Sequence, residues 1–445
     1  MIFSRILFAM FCALLSASLW AADAGKRELP PGLEVPAAAR PGPDFDADRA
    51  TEAYLALLTP EQKAQSDAYF EGGYWLRLWG WLYGIGVALV LLASGLSRRM
   101  REIARRIGRG PWRTAALYVV FWTIAGFVLT APLGIYSDFY REHQYGLATQ
   151  AFGPWFGEQL IGLGLSIALG APVIALIYSA VRRAGSNWWV WAGGIVFVFA
   201  LFVLMIAPVY ISPLFNKYEP VADGPVRTSV LSLARANQIP TDNVKWFDAS
   251  KQTTRVSANV SGLFGTTQVS LNDNLLNKTS LPEIKAVMGH EMGHYVLNHG
   301  TRLTIYFTLV FTFAFFLTDR GMTWALARFG ARFGIEERAD PAGLPLFLAI
   351  FSTVMLFATP LTNSIVRQAE AEADQFGLDA AREPHGFAMA AMRLSTYRKI
   401  HPGPLEEIVF YDHPSGYDRV HRSMTWAKEN IDAADVRASA ESAAR

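Results

Sequence analysis

Six long apolar stretches constrain this chain more than any other feature: Leu78 to Leu96, Thr114 to Tyr136, Leu160 to Val181, Trp188 to Tyr210, Leu303 to Leu317 and Leu344 to Leu361. Crossing a bilayer takes about 20 mostly apolar residues in a helix. Lipid offers no partners for backbone polar groups, so helices and closed barrels are what can cross it. Stretches of this length therefore predict a polytopic helix bundle, with the fifth and shortest beginning within the preceding helix. Composition agrees, with 52% hydrophobic and 18% charged residues, against ~25% charged in ordinary soluble chains. That balance excludes intrinsic disorder and collagen-like sequence. The formal net charge is +2, so no overall basic field invites nucleic acid. The single cysteine, Cys12, supplies neither an intrachain disulfide nor a thiolate site. Any metal must be held by His and carboxylate.

A seventh stretch, Ile6 to Trp20, follows Arg5, is shorter, and ends in Trp20-Ala21-Ala22-Asp23-Ala24. It reads as a secretory signal peptide, or else as an uncleaved first anchor. Arginines set the orientation. Arg98, Arg99, Arg101, Arg105, Arg106 and Arg109 mark one cytoplasmic loop, and Arg182 and Arg183 mark a second. Arg320, Arg328, Arg332 and Arg338 support a third, while 137–157 carries little positive charge. Counting crossings puts 21–73, 211–301 and 364–445 on the far side, the periplasm of a Gram-negative host.

Outside the membrane, Pro30, Pro31, Pro36, Pro41 and Pro43 read as an extended linker; a helical pattern from Pro60 to Phe70 leads into the first span. Residues 211–301 are the sizeable polar insert. A helix is expected from Val226 to Asn237, with short strands at Val244 to Phe247 and Gln268 to Leu271, and Gly262 and Gly265 as turn signals between. A long helix should follow from Leu281 to His299, with Pro282 in its first turn.

That last helix carries His290-Glu291-Met292-Gly293-His294. Positions i and i+4 share a helix face, so both imidazoles can reach one ion, and Glu291 beside it can take a proton from water. The logic is that of zincins, in which a third protein ligand leaves one position open. No further His stands at metzincin spacing, which directs attention to the acidic run Arg367 to Asp374. Glu370 and Asp374 are i,i+4, so one can bind metal while the other orients a histidine from behind. Two crossings between His294 and Glu370 return the chain to the same side.

With these blocks in hand, the sequence resembles the integral-membrane zinc metallopeptidases of the CAAX prenyl protease type I family, as a bacterial-type member. The matching segments are Pro213 to Tyr218, Ser257 to Gly262, Gly289 to Tyr295 with Asn298-His299, Arg367 to Asp374, and more weakly His413-Pro414 with Arg419. The resemblance implies His290, His294 and Glu370 as ligands of one zinc ion per chain, Glu372 being the competing ligand. It implies Glu291 as general base, Asp374 and Asn298 as supports behind the ligands, and His413 and Arg419 as groups steadying the oxyanion or the substrate backbone. It also implies a sheet edge near Val269 to Leu271, with Asn259 close by, on which substrate lies extended. Asn259 reads equally as a turn residue, and His299 as a polar residue at a membrane boundary. His143, His385, His401 and His421 read as surface residues.

The expected fold is thus mostly α: a polytopic membrane helix bundle with a zincin-like α+β catalytic insert. Its segments are a signal peptide or anchor (1–22), linker and amphipathic helix (23–73), four spans (74–210), catalytic insert (211–301), two-span hairpin (302–363), third-ligand helix and C-terminal catalytic segment (364–425), and a tail (426–445) of solvated helix or disorder. The expected activity is zinc-dependent hydrolysis of membrane-associated, misfolded or CAAX-like polypeptides. The partners are polypeptide substrate and lipid bilayer, and the sequence does not set an oligomeric state. Eukaryotic members open toward the cytosol, whereas the arginines here place the zinc outside. A site-2-type intramembrane protease fits less well, because this motif stands at the entrance to a span. From another class, a catalytically silent membrane-protein scaffold or chaperone would not need Glu291.

Overall fold

The computed structural model describes residues 29–30, 32–262, 267–430 and 432. The expected signal peptide or anchor at 1–22, Gly265 and most of the tail lie outside them. The chain forms two compact units. One gathers Trp75–Ala200 and Phe307–Ala358, and the other the described residues of 29–74, Leu201–Tyr306 and 359–432. In chain order the main helices begin with α1 (Ala47–Leu55), α2 (Pro60–Ala93), α3 (Leu96–Gly108), α4 (Pro111–Gly134), α5 (Phe152–Ala184) and α6 (Trp188–Ile206). They continue with α7 (Pro225–Ala236), α8 (Leu281–Val296), α9 (His299–Phe333), α10 (Leu344–Ala381), α11 (Pro384–Leu394), α12 (Pro404–Phe410) and α13 (Gly416–Glu429).

Among the described residues, five helical runs are long and apolar enough to cross a membrane, and the protein is an integral membrane protein. One run, Phe152–Leu214, contains both α5 and α6. A short 3-10 turn separates them, beginning at Gly185 with φ +55°, a backbone that favours glycine. Helix α9 is much longer than its apolar stretch suggested, because buried Asp319 interrupts the hydropathy. Its carboxylate accepts from Trp188 Nε1 at 2.8 Å and pairs with Arg338 at 3.0 Å.

The arginine-rich segment after α2 folds as amphipathic helix α3. Arg101 is buried and pairs with buried Asp340, with Glu102 at 2.7 Å and with Glu336 at 3.1 Å. Asp340 in turn caps the turn before α10 by accepting from Ala342 N at 2.9 Å. Arg105 reaches Glu336 at 2.7 Å, and Ser97 Oγ donates to Ala342 O. The segment before α10 therefore packs on α3, and Arg338 ties it to Trp188 through Asp319. Three arginine-bearing loops that the charge pattern assigned to one side meet within this unit.

The second unit is built on a four-stranded sheet: β1 (Tyr218–Pro220), β2 (Val244–Phe247), β3 (Ala258–Ser261) and β4 (Gln268–Asn272), in spatial order β1-β2-β4-β3. The β2–β4 pair is parallel, and the outer pairs are antiparallel. Val244, Val269 and Leu271 pack against Val230 and Leu233 of α7 and against Ile284, Met288 and Met292 of α8. Each such fully buried aliphatic side chain contributes about 1.5–3 kcal/mol.

Residues 29–58, expected to run as a linker, are instead part of a packed core. Leu29, Val35, Tyr54 and Leu58 pack against Met389 and Met392 of α11 and Val420 and Met424 of α13. Arg393 fixes the start of this strap by donating to Leu29 O, Pro30 O and Gly32 O at 3.0–3.1 Å. His385, read as a surface residue, is buried and bonded through Nδ1 to Tyr54 OH at 2.9 Å. His421 is partly exposed and lies 3.0 Å from Asp48.

Candidate metal centre

Helix α8 is set in phase by a reciprocal cap. Ser280 Oγ accepts from Glu283 N while the Glu283 carboxylate accepts from Ser280 N at 2.8 Å. Glu283 is itself buried and held by Arg393 Nε at 2.5 Å. From that start, Gly289 and Gly293 bring α8 into backbone contact with α10. A Cβ on Gly289 would lie 2.9 Å from Gly377 O, and one on Gly377 would lie 2.7 Å from His290 N. No other residue type fits that crossing without moving backbone.

The close approach brings three donor atoms together. His290 Nε2 and His294 Nε2 are 3.1 Å apart, and Glu370 oxygens lie 3.3 Å from the first and 3.4 Å from the second. A tetrahedral ion with bonds of ~2.0–2.1 Å spaces its ligand atoms roughly 3.3–3.4 Å apart, and these separations are of that size, with Glu370 meeting His290 through Oε2 and His294 through Oε1. Two imidazole nitrogens and a carboxylate are also the donor chemistry of hydrolytic zinc. His290 Nδ1 lies 2.8 Å from Asp374 Oδ1, which directs Nε2 toward the centre.

His294 is oriented differently from expectation. Its Nδ1 lies 2.8 Å from His299 Nδ1, and His299 Nε2 lies 3.3 Å from Glu372 Oε2. When His294 donates from Nδ1, His299 accepts there and carries its own proton toward Glu372. Asn298 was expected to support the ligands, but its side chain turns back to Val296 O. It occupies the left-handed position, φ +54°, that ends α8. Glu372, the competing ligand, is instead held by Arg302 at 2.5 Å and Gln368 at 3.0 Å. The three-residue offset of Arg302 from His299, facing Glu372, is the sequence signal that could have pointed to this chain of contacts.

Arg419 closes on carboxylates from behind: its Nη2 is 3.2 Å from Glu370 Oε2 and 2.9 Å from Asp374 Oδ1, and its Nε donates to Asp374 Oδ2 at 3.0 Å. It thus holds the two acidic side chains together. Arg422, one turn later, reaches Ala371 O at 3.1 Å and Asp374 Oδ2 at 3.4 Å, a support that sequence reasoning missed. His413 is the more accessible partner. Its Nδ1 is held 2.8 Å from Asp412, and its Nε2 stands 3.3 Å from Glu370.

Burial pushes the Glu291 carboxyl up to about 7, opposed by the charge of His290 and assisted by that of Glu370. Burial also pushes His294 down to about 4, with the charge of His290 adding to it. His290 is raised to about 9, since its contacts to Asp374 and Glu370 outweigh burial.

A cavity of about 260 Å³ contains His290, Glu291, Glu370 and His413, with Ser257 and Ala258 on one wall. The edge strand beside it is β3, not the Val269–Leu271 segment. Val269 and Leu271 are fully buried on β4, between β2 and β3, and cannot receive an added strand. Asn259 lies on the edge strand, paired across to Ser270.

Residues 47–217 match the CAAX prenyl protease N-terminal family, described by five membrane helices, and residues 220–427 match peptidase family M48. The chain is 29% identical over 396 residues to an uncharacterized metalloprotease of Bacillus subtilis, YhfN, covering 85% of this chain and 89% of that one. It is 27% identical over 306 residues to CAAX prenyl protease 1 of Saccharomyces cerevisiae, covering 65% and 67%. The fold is similar to that of the crystal structure of S. mikatae Ste24p, with a TM-score of 0.68 at 22% identity over 82% of this chain and 89% of the other. The fold and site define a membrane-embedded metallopeptidase. The chain belongs to the CAAX prenyl protease type I family, within peptidase family M48.

Proposed function

We propose that this metalloprotease is an endopeptidase that holds one zinc ion on His290, His294 and Glu370 and uses Glu291 as general base. The observation that carries the reading is the convergence of His290 Nε2, His294 Nε2 and the Glu370 carboxylate, with separations of 3.1 Å between the imidazoles and 3.3 and 3.4 Å from each to a carboxylate oxygen, and half-buried Glu291 beside them. When bound, zinc would polarise the scissile carbonyl and make water a nucleophile at neutral pH.

The chain's own residues supply the rest. Glu291 takes the proton of the attacking water and delivers it to the leaving amine. His413, with Nδ1 donating to Asp412 and Nε2 beside Glu370, would donate from Nε2 to the developing oxyanion as an imidazolium. Arg419 acts through Glu370 and Asp374 by fixing their positions. The β3 edge, with Asn259, offers backbone hydrogen bonds to an extended polypeptide without requiring a particular sequence. Substrates are membrane-associated, misfolded or CAAX-like polypeptides.

We further propose six crossings. The 63-residue run from Phe152 to Leu214 would extend roughly 95 Å as one helix, about three times the hydrocarbon thickness, so it crosses twice, turning at Gly185. With the arginine-bearing loops cytoplasmic, the catalytic residues face the opposite side.

The test uses detergent-solubilised protein, with bound metal and cleavage of an unstructured polypeptide measured for wild type, Glu291→Gln and Glu370→Ala. One zinc per chain is expected, with turnover lost in both variants and metal weakened only in Glu370→Ala. Full metal retention in Glu370→Ala would move the third ligand elsewhere. A wild type without metal or cleavage would leave a membrane scaffold.

A further inference from the structure

Arginines and lysines around the catalytic cavity are, with one exception, committed to partners. Arg419 and Arg422 close on Asp374, Arg393 closes on Glu283, and Lys399 pairs with Glu71 at 2.7 Å and Glu406 at 2.9 Å. Arg255 donates to Tyr69 OH and lies over the Tyr397 ring. Arg398 lines the same cavity as His290, Glu291 and Glu370, yet among the described residues it makes no ion pair and no hydrogen bond. Asp412, whose charge it feels, is already bonded to His413 Nδ1 at 2.8 Å.

The backbone that carries Arg398 is fixed on both sides. Ser66 Oγ donates to Ser395 O at 2.8 Å, Tyr411 OH to Lys399 O at 2.8 Å, and Tyr417 N to Ile400 O at 2.9 Å. Gly416 packs so closely that a Cβ there would lie 2.3 Å from Ser395 Oγ. A rigid loop thus presents a half-buried Arg398 that makes no hydrogen bond or ion pair among the described residues, with Asp412 acting on it only at longer range. Withdrawing such a charge from water without pairing it costs free energy that an incoming anion recovers. Its planar fork matches a carboxylate in two-point geometry. The remaining wall is apolar, formed by Val256, Ala258, Leu275, Phe387 and Leu394.

We infer that Arg398 anchors substrate by pairing with a carboxylate of the bound polypeptide, separated from the scissile bond by apolar residues. The carboxylate comes either from the chain's C-terminus or from an Asp or Glu side chain. This rests on the peptidase reading above and names the substrate class for the same cavity.

The test uses full-length, zinc-loaded protein as wild type, Arg398→Gln and Arg398→Lys. The probes are fluorogenic peptides of one apolar sequence, ending in a free carboxylate or an amide, plus amidated versions with Asp at successive positions. Wild type is expected to favour a carboxylate-bearing peptide over the neutral amide by roughly 10- to 100-fold in kcat/KM, mostly through KM. Arg398→Gln brings that ratio close to one, and Arg398→Lys retains part of it. Preference confined to the free acid assigns the C-terminus, whereas recovery by Asp in an amidated peptide assigns a side chain.

Equal turnover of all peptides by the wild type, or a preference that survives Arg398→Gln, overturns the inference. Zinc content and thermal midpoint of Arg398→Gln should equal those of wild type, because no internal bond is lost; a fall in either makes the residue structural and overturns the anchoring role. Absence of any hydrolysis by zinc-loaded wild type overturns the peptidase reading and this inference together, a result distinct from hydrolysis without carboxylate preference.

Discussion

In the membrane unit, Arg101 is closed off by Asp340, Glu102 and Glu336, and Asp319 by Trp188 and Arg338. Those charges satisfy one another and hold turns between helices. In the catalytic unit, Asp374 and Arg419 form an equally buried pair, but the arrangement continues outward to two imidazole nitrogens that face each other. There the pairing is incomplete by design of the geometry: like groups are held close, and a cation at their centre would relieve them. Buried charge serves as a fastener in the first unit and as a poised receptor in the second.

Variants that break one unit should leave the signature of the other intact. The largest effect is expected from Glu291→Gln, with kcat reduced about 10²–10⁴-fold while metal analysis still finds zinc. Arg101→Ala should be the largest change in the other direction. Leaving buried Asp340 without its partner costs about 3–5 kcal/mol, read as a lower thermal midpoint, with zinc stoichiometry preserved in the folded fraction.

His299→Ala sharpens the comparison within the site. Loss of the contact behind His294 should weaken zinc about 10–100-fold in competition with a chelator. Asn298→Gly should leave zinc affinity alone, since φ +54° suits glycine and the Asn298 side chain touches no ligand.

Acid gives smaller effects, and separates catalysis from stability. Glu291 must be ionised to take the proton of water, so kcat/KM should fall as pH drops and the base becomes protonated; burial raises its carboxyl, and a bound zinc ion would lower it again. A pH–rate profile with no acid limb would remove Glu291 from that role. His385 acts on stability. Burial lowers it from 6.5 to about 4, so its contribution is complete above ~6.5 and is lost as pH falls through about 4. The full contribution is ~3 kcal/mol, and replacing His385 by Gln should flatten the fall in thermal midpoint between pH 7 and pH 4.

What the sequence revealed was what short-range physics encodes. The i,i+4 spacing of His290 and His294, Pro282 in the first turn of α8 and the apolar strands at β2 and β4 are local, and they were legible; the cap at Ser280 was equally local but went unread. Residues 29–58 were not, because their Pro and Ala content has no period and their partners lie on α11 and α13, more than 300 positions away. The choice of β3 over β4 as the sheet edge was hidden for a related reason: strand order is a property of pairing, and Val269 and Leu271 look equally suited to an edge or a centre. His299 read as a boundary residue because its partner Glu372 is distant in sequence. Asp319 concealed most of α9 because hydropathy counts a charge without seeing its partner.

The glycine crossing of α8 and α10 has a consequence for which ions the site accepts. With Gly289 and Gly377 in backbone contact, the backbones of α8 and α10 stand at a fixed separation, and the gap between the two histidines and Glu370 widens only if those side chains turn. The site is therefore a gauge of ionic radius. Cobalt, close to zinc in size, should substitute with little rearrangement, whereas cadmium and calcium, with longer bonds, would have to turn the ligands away from Asp374, His299 and Arg419.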